Sequence, residues 1–552
     1  MQPSFTDAFG KRRKASVESM ARVLETMGSA AGTEAQARAS LRERITELTQ
    51  RRLEPVCVAW GGKRASVWLR IERRRARGPV RCALTLENGE TAQWSAEVTD
   101  LPSRERAGPD GKPETRVRID LPRKLEVGYH RLAVEFGGER LESLVISAPV
   151  KSFRFPQADQ NRTSHAWGLF CPVYAIRNGS DLGVGDLSGL RSLASWSASL
   201  GGRVVATLPL LAANLTEPFD PSPYAPVSRI FWNELFADPA RAPEFEWSEE
   251  ARAMARSAPF LAETRALREE PLVDYRRAAA HQRGLVEAMA RRFFESGADK
   301  SEAFKAFKQK NPLLEEYAAF RAVTERQGVE WIEWPARLRK GQIRPSDSDA
   351  GARRYHMYAQ YLVARQLDEL TEDVRARGGL VYLDLPVGVS PYGFDVWRNQ
   401  GLFAMGCATG APPDPYFTGG QNWGFPPMKP EAMRAEGYAT FIDALRAHME
   451  RSDYLRLDHV MAFHRLFWIP DAGTAADGVY VRYEAEELFA ILCLESHRNE
   501  CRLVGENLGT VPPEVNKALD RHDLCGLYVA QYEMQPSTTR ALRAIPANCV
   551  AS

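Results

Sequence analysis

Two carboxylates close short apolar runs: Asp458 ends YLRLD (454–458) and Glu506 ends RLVGE (502–506). In a (β/α)₈ barrel the reactive groups sit at the C-terminal ends of strands. Two acids on neighbouring strand ends can flank one bond. One, ionised, serves as nucleophile and the other, protonated, as general acid, which is what glycosidic chemistry requires. Side chains alternate along a strand, so Arg456 shares a face with Asp458. Its charge would keep Asp458 ionised, whereas Glu506 would need burial or a like-charged neighbour to raise its pKa. On these residues alone a second reading stays open. An unpaired buried charge costs several kcal/mol, so the acids could simply be members of structural ion pairs.

Aromatic residues strengthen the chemical reading. Sugars present flat apolar faces rimmed by hydroxyls and suit aromatic rings beside fixed polar groups. The stretch GAPPDPYFTGGQNWGFPP (410–427) supplies Asp414, Gln421, Asn422 and Trp423 on a Gly/Pro-rich loop. The stretch DPSPYAPVSRIFWNELF (220–236) supplies Tyr224, Ser228 and Asn233. Either loop by itself reads equally as a rigid turn.

The elements that must position these residues follow from periodicity. Residues 1–52 read as a helical leader, partly flexible, with helical spacing from about 15. Short alternating stretches such as ASVWLRIE, RCALTLEN, HRLAVEF and ESLVISA follow, separated by ENGE, PDGKP and FGGE turns. They predict a β-sandwich over 53–150. Beyond 160, apolar strands alternate with helices, as expected of a parallel α/β barrel. The strands are WGLFCPVYAI, RVVATLPLL, LVYLDLP, YLRLDHV, CRLVGEN and GLYVAQYEM. PANCVAS opens a seventh, where the chain stops. Residues about 240–345 read as a helical insertion. The expected fold class is thus a (β/α)₈ barrel over 160–552, lacking its last strands, preceded by a β-sandwich.

Five motifs in order, SPYAPVSRIFWNELF, LDLPVGV with FDVW, GAPPDPYFTGGQNWG, LRLDH and GENLGTVPPEV, resemble the 4-α-glucanotransferases, the amylomaltase or disproportionating-enzyme family of the α-amylase clan. The sandwich, with VGYHRLAVEF, resembles the N-terminal domain of longer bacterial members. The resemblance implies transfer of α-1,4-glucan segments from malto-oligosaccharides to a glucan or glucose acceptor, with retention and without metal or organic cofactor. It makes Asp458 the nucleophile, Glu506 the acid/base and Arg456 the companion of the nucleophile. Tyr224, Asp414, Gln421 and Trp423 become donor-sugar contacts; His459 is placed to bind a hydroxyl or to pack. Position 507 is Asn where the family commonly has Asp. The family's third carboxylate, in a His-Asp pair past the seventh strand, has no position in this sequence. A non-catalytic glucan-binding protein or an inactive fragment is therefore the competing expectation.

The rest of the composition bounds these readings. The 552 residues carry a net charge of +2, with 44% hydrophobic and 26% charged residues. That is an ordinary globular balance with no basic field for nucleic acid; the local clusters KRRK (11–14) and ERRRAR (72–77) read as solvated surface. No 18-residue apolar run predicts a membrane span, and MQPSFTDAFGKRRK lacks a secretory core. The eight cysteines are scattered without CxxC spacing. This argues against zinc or a disulfide framework and for reduced thiols in the cytoplasm.

Overall fold

The computed structural model describes residues 1–7, 9–71, 77–122, 124–156, 166–415, 417–534, 544–546 and 548–552. Most of the basic run ERRRAR, and the expected start of the barrel region at 160, lie outside these. Residues 1–154, 401–446 and 459–552 form one compact unit, and residues 155–400 and 447–458 form another.

In the first unit, two short strands precede the first helix. Strands β1 (Ser4–Thr6) and β2 (Arg12–Lys14) pair antiparallel. Phe5 sits edge-on to Phe467 and Tyr480, which gives this polar stretch an apolar anchor. Helices Val17–Thr26 and Glu34–Gln50 follow, started by Ser16 and by a Thr33/Gln36 capping box.

The sandwich has one sheet of β3 (Val56–Trp60), β5 (Pro79–Thr85), β6 (Thr91–Glu97), β9 (Gly128–Phe136) and β10 (Glu139–Ala148), in the order β3-β10-β9-β5-β6. The other sheet is β4 (Ser66–Ile71), β7 (Ser103–Ala107) and β8 (Pro113–Asp120), in the order β4-β8-β7. Alternate residues face inward: Val67, Leu69 and Ile71 of β4 meet Leu132, Val134 and Phe136 of β9 in a single apolar core. This is the pattern that the period-two alternation predicts. Trp60, at the end of β3, stacks on His522, which in turn stacks on Phe489 of helix Ala485–Arg498.

The second unit contains four parallel strands. They are β11 (Gly168–Phe170), β12 (Val204–Ala206), β13 (Leu380–Leu385) and β16 (Tyr454–Leu457), adjacent in that order. Helix Leu187–Ser199, capped by Asp186, joins β11 to β12. Helices from Pro243–Trp247 to Ala336–Arg339 fill the region read as an insertion, and Ser248, Ser257, Asp274 and Ser301 cap four of them. The 27-residue helix Ala350–Ala376 then leads into β13.

In the first unit, β19 (Arg502–Gly505), β20 (Gly526–Tyr528) and β21 (Cys549–Ala551) are three further strands. Val504 bridges Cys525, and β20 pairs in parallel with β21. All seven stretches read from the sequence as barrel strands, PANCVAS included, hold strands here.

One reading needs correction. Residues 410–427 are not simply a loop. Strands β14 (Cys407–Ala411), β15 (Gln421–Asn422), β17 (Arg465–Pro470) and β18 (Val479–Arg482) form an antiparallel sheet in the order β15-β14-β17-β18. Gly410 makes this possible, because a Cβ there would lie 2.1 Å from the Gln421 carbonyl. Small residues in CATGA hid the strand, since they carry no β-forming signature. Among the described residues no helix is long and apolar enough to cross a membrane.

Candidate active site

Strand register brings together one group of the sequence-predicted residues, within the second unit. Asp384 on β13 stands opposite Arg456 on β16, and the Asp458 N–H donates to the Leu385 carbonyl. Leu383, Leu385, Leu455 and Leu457 face away into apolar packing and are nearly inaccessible. The polar residues therefore share the opposite face. Arg456 Nη1 donates to both oxygens of Asp384, at 2.7 and 2.9 Å, and its Nη2 lies 2.8 Å from Asp458 Oδ1. The Tyr224 hydroxyl donates to Asp384 Oδ2 at 3.1 Å.

One guanidinium thus serves two carboxylates, only one of which is deeply buried. Asp384 is 4% exposed. Burial pushes its carboxyl up to about 7; Asp458 adds to the rise, and Arg456 and Tyr224 oppose it. Burial works against the charge on Arg456, but Asp384 and Asp458 more than offset it and hold the guanidinium above its usual range. Tyr224 is also raised, first by burial and then by Asp384.

Asp384 was not singled out from the sequence, although the signal was present. LVYLDLP ends in an acid at the same strand-end position as Asp458 in YLRLD. Ser228 and Asn233, read as possible sugar contacts, are committed elsewhere. The Ser228 hydroxyl donates to buried Asp395 at 2.6 Å, and Asn233 caps the turn at Glu234–Phe236.

A separate group of the sequence-predicted residues lies in the first unit. Glu506 follows β19 and is buried. Its Oε2 accepts from the His459 N–H at 3.0 Å and its Oε1 from the Leu508 N–H at 2.9 Å. The His459 ring meets the Trp423 ring edge-on at 5.0 Å. Trp423 Nε1 donates to Gln421 Oε1 at 3.2 Å, and its ring stacks against Phe425. Gln421, Trp423, His459 and Glu506 are thereby linked by contacts. Asp414 lies on the same hairpin, where its Oδ1 closes a turn by accepting from the Phe417 N–H at 2.7 Å.

Asn507 has a structural role at the adjacent position. Its Oδ1 accepts from the Leu527 N–H at 3.0 Å and its Nδ2 donates to Asn516 Oδ1 at 3.1 Å. It ties the end of β19 to β20 and to helix Pro513–His522.

Comparison with known proteins separates the sandwich from the rest of the chain. The family signature described as 4-alpha-glucanotransferase matches residues 171–552, and that of the MalQ N-terminal beta sandwich domain matches residues 52–149. A 4-alpha-glucanotransferase of Mycobacterium tuberculosis is 30% identical over 98% of this chain and 75% of its own length. One from Haemophilus influenzae is 32% identical over 79% of this chain and 64% of its own length. The crystal structure of amylomaltase from Corynebacterium glutamicum covers 100% of this chain and 77% of its own, with a TM-score of 0.82 at 25% identity. An amylomaltase of Streptococcus agalactiae, solved with acarbose, shares the fold over 70% of this chain and 78% of its own, with a TM-score of 0.59 at 20% identity. The chain is an α/β protein of the amylomaltase type, a (β/α) barrel with an N-terminal β-sandwich, and it belongs to the 4-α-glucanotransferase family.

Proposed function

We propose that Asp458 and Glu506 carry out the 4-α-glucanotransferase reaction by double displacement. Asp458 attacks C1 of a glucose unit in a malto-oligosaccharide donor. The C1–O4 bond breaks, and Glu506 gives its proton to the departing O4. A glycosyl ester of inverted configuration remains on Asp458. The 4-hydroxyl of an acceptor glucan or of glucose then gives its proton to Glu506 and attacks C1. The ester bond breaks and α configuration returns. Water in place of the acceptor gives hydrolysis.

The observation that carries this reading is the sharing of Arg456 between Asp384 and Asp458. A purely structural pair would need one acid. Here a second, more accessible acid is held at the strand end by the same guanidinium. Trp423 and His459 offer a ring surface for a sugar face. Tyr224, Gln421 and Asp414 supply polar edges for its hydroxyls. The relatives carry the names of enzymes, which speaks against a binding protein without catalysis. The eight free thiols support a reducing, cytoplasmic setting.

The test is Asp458→Asn, assayed by glucose release from maltotriose. Loss of the ionised nucleophile should abolish transfer without unfolding the protein. Activity within about tenfold of the parent would remove Asp458 from the role.

A further inference from the structure

His459 has left-handed backbone, with φ 50° and ψ 62°. Left-handed backbone is uncommon outside glycine, with Asn, Asp and His the tolerated exceptions, and it persists where surrounding contacts over-determine it. Those contacts converge on Glu506. The His459 N–H donates to Glu506 Oε2, and the next N–H, that of Val460, donates to the Glu506 carbonyl at 3.0 Å. Gly505 permits the approach, since a Cβ there would come within 2.8 Å of Val460 Cγ2. Two consecutive amides therefore clasp one residue, one on its main chain and one on its carboxylate. The φ and ψ of residue 459 set the angle between these two amides, so a right-handed or extended residue 459 could not present both to Glu506.

We infer that His459 is a positioning residue for Glu506. It acts through its left-handed main chain, whose N–H holds the Glu506 carboxyl in the rotamer from which the leaving oxygen is protonated. The imidazole is a separate asset, spent on Trp423. This inference rests on the assignment of Glu506 as acid/base. It predicts that the identity of residue 459 matters first for backbone preference and only second for ring chemistry. Glycine and asparagine, which accept left-handed backbone, should preserve the hold, whereas valine, whose branched Cβ opposes it, should lose it.

The test compares two donors. Maltotriose loses a sugar hydroxyl that must be protonated. An α-maltosyl fluoride loses fluoride without needing the acid. For each, kcat/KM is measured in the full chain carrying His459→Gly, His459→Asn, His459→Ala or His459→Val, beside Glu506→Gln. Misplacing an acid should cost roughly tenfold to a hundredfold on maltotriose and much less on the fluoride. That selective loss is expected for His459→Val, weaker for His459→Ala, and absent for His459→Gly and His459→Asn, whose losses should be equal on both donors. Should His459→Val fold poorly, His459→Ala against His459→Gly gives the same contrast. Equal losses on both donors for Val and Ala, or a selective loss for Gly matching that of Ala, overturn the positioning role. If Glu506→Gln itself shows no selective loss, the acid/base assignment fails instead.

Discussion

Asp384 and Arg456 are register partners on adjacent parallel strands, and the guanidinium reaches both oxygens of the carboxylate while its other arm holds Asp458. Two carboxyl groups, one guanidinium and the Tyr224 hydroxyl thus form one unit whose balance depends on a single cation. Removing that cation leaves two acids facing each other in a partly buried site. Arg456→Ala should therefore cost stability as well as activity, by about 3–5 kcal/mol, the usual penalty for stranding a buried partner. Arg456→Lys keeps the charge but cannot bridge two carboxylates with a planar fork, so it should recover stability better than transfer. Urea midpoints and maltotriose disproportionation, measured on both variants, check this. Equal stability of the alanine variant and the parent would mean that the two acids do not depend on Arg456.

Asp384 also gives this site a pH signature. Burial, with Asp458 adding to it, raises its folded carboxyl to about 7. The unfolded chain releases that proton near 4. The folded state thus binds the proton more tightly, so the group's contribution to stability is whole below about 4 and is lost as pH rises to about 7. Asp384→Asn cannot titrate. Between pH 5 and 8 the parent should lose stability relative to Asp384→Asn, as read from isothermal urea midpoints. Parallel curves for the two proteins would show that Asp384 stays ionised in the fold.

The sequence announced what rests on periodicity and missed what rests on close approach. Alternation in VWLRI and HRLAVEF marked the sandwich, and apolar runs bounded by helices marked the parallel strands, because burial on one face or two leaves a direct imprint. The antiparallel sheet through CATGA left none, since its backbone pairing relies on Gly410 lacking a side chain. At the site, Arg456 and Asp458 were legible from their two-residue spacing. Asp384 was not, because its partnership with Arg456 is a matter of register across 72 residues. The left-handed turn at His459 had no signal either, for histidine is not a residue that advertises it.

Asn507 yields a prediction about tolerance. Its Oδ1 is the acceptor for the Leu527 N–H, and an aspartate would keep that oxygen. The second oxygen would meet Asn516, whose amide can turn to donate. Asn507→Asp should accordingly fold with a thermal midpoint close to the parent. Asn507→Leu leaves the Leu527 N–H unpaired, and a partly buried orphan donor should cost about 1–3 kcal/mol. If the leucine and aspartate variants melt together, the bond to Leu527 contributes nothing.

Trp423 separates binding from folding. Its ring is half-buried, touching His459 at the edge and Phe425 across its face, and its Nε1 is spent on Gln421. A tryptophan fully enclosed in a core would cost about 3–5 kcal/mol when cut to alanine. Trp423 is only half-buried, so Trp423→Ala should cost clearly less than that. A sugar platform should reveal itself in affinity. Stacking worth about 1.4 kcal/mol would raise the dissociation constant about tenfold. Malto-oligosaccharide binding by calorimetry and the thermal midpoint should be measured on the same preparation. The expected outcome is a loss of affinity of at least that size with a small shift in midpoint. The reverse order, a large fall in midpoint with affinity intact, would make Trp423 a packing residue that braces Gln421 and His459, and the sugar face would have to be sought elsewhere on the hairpin.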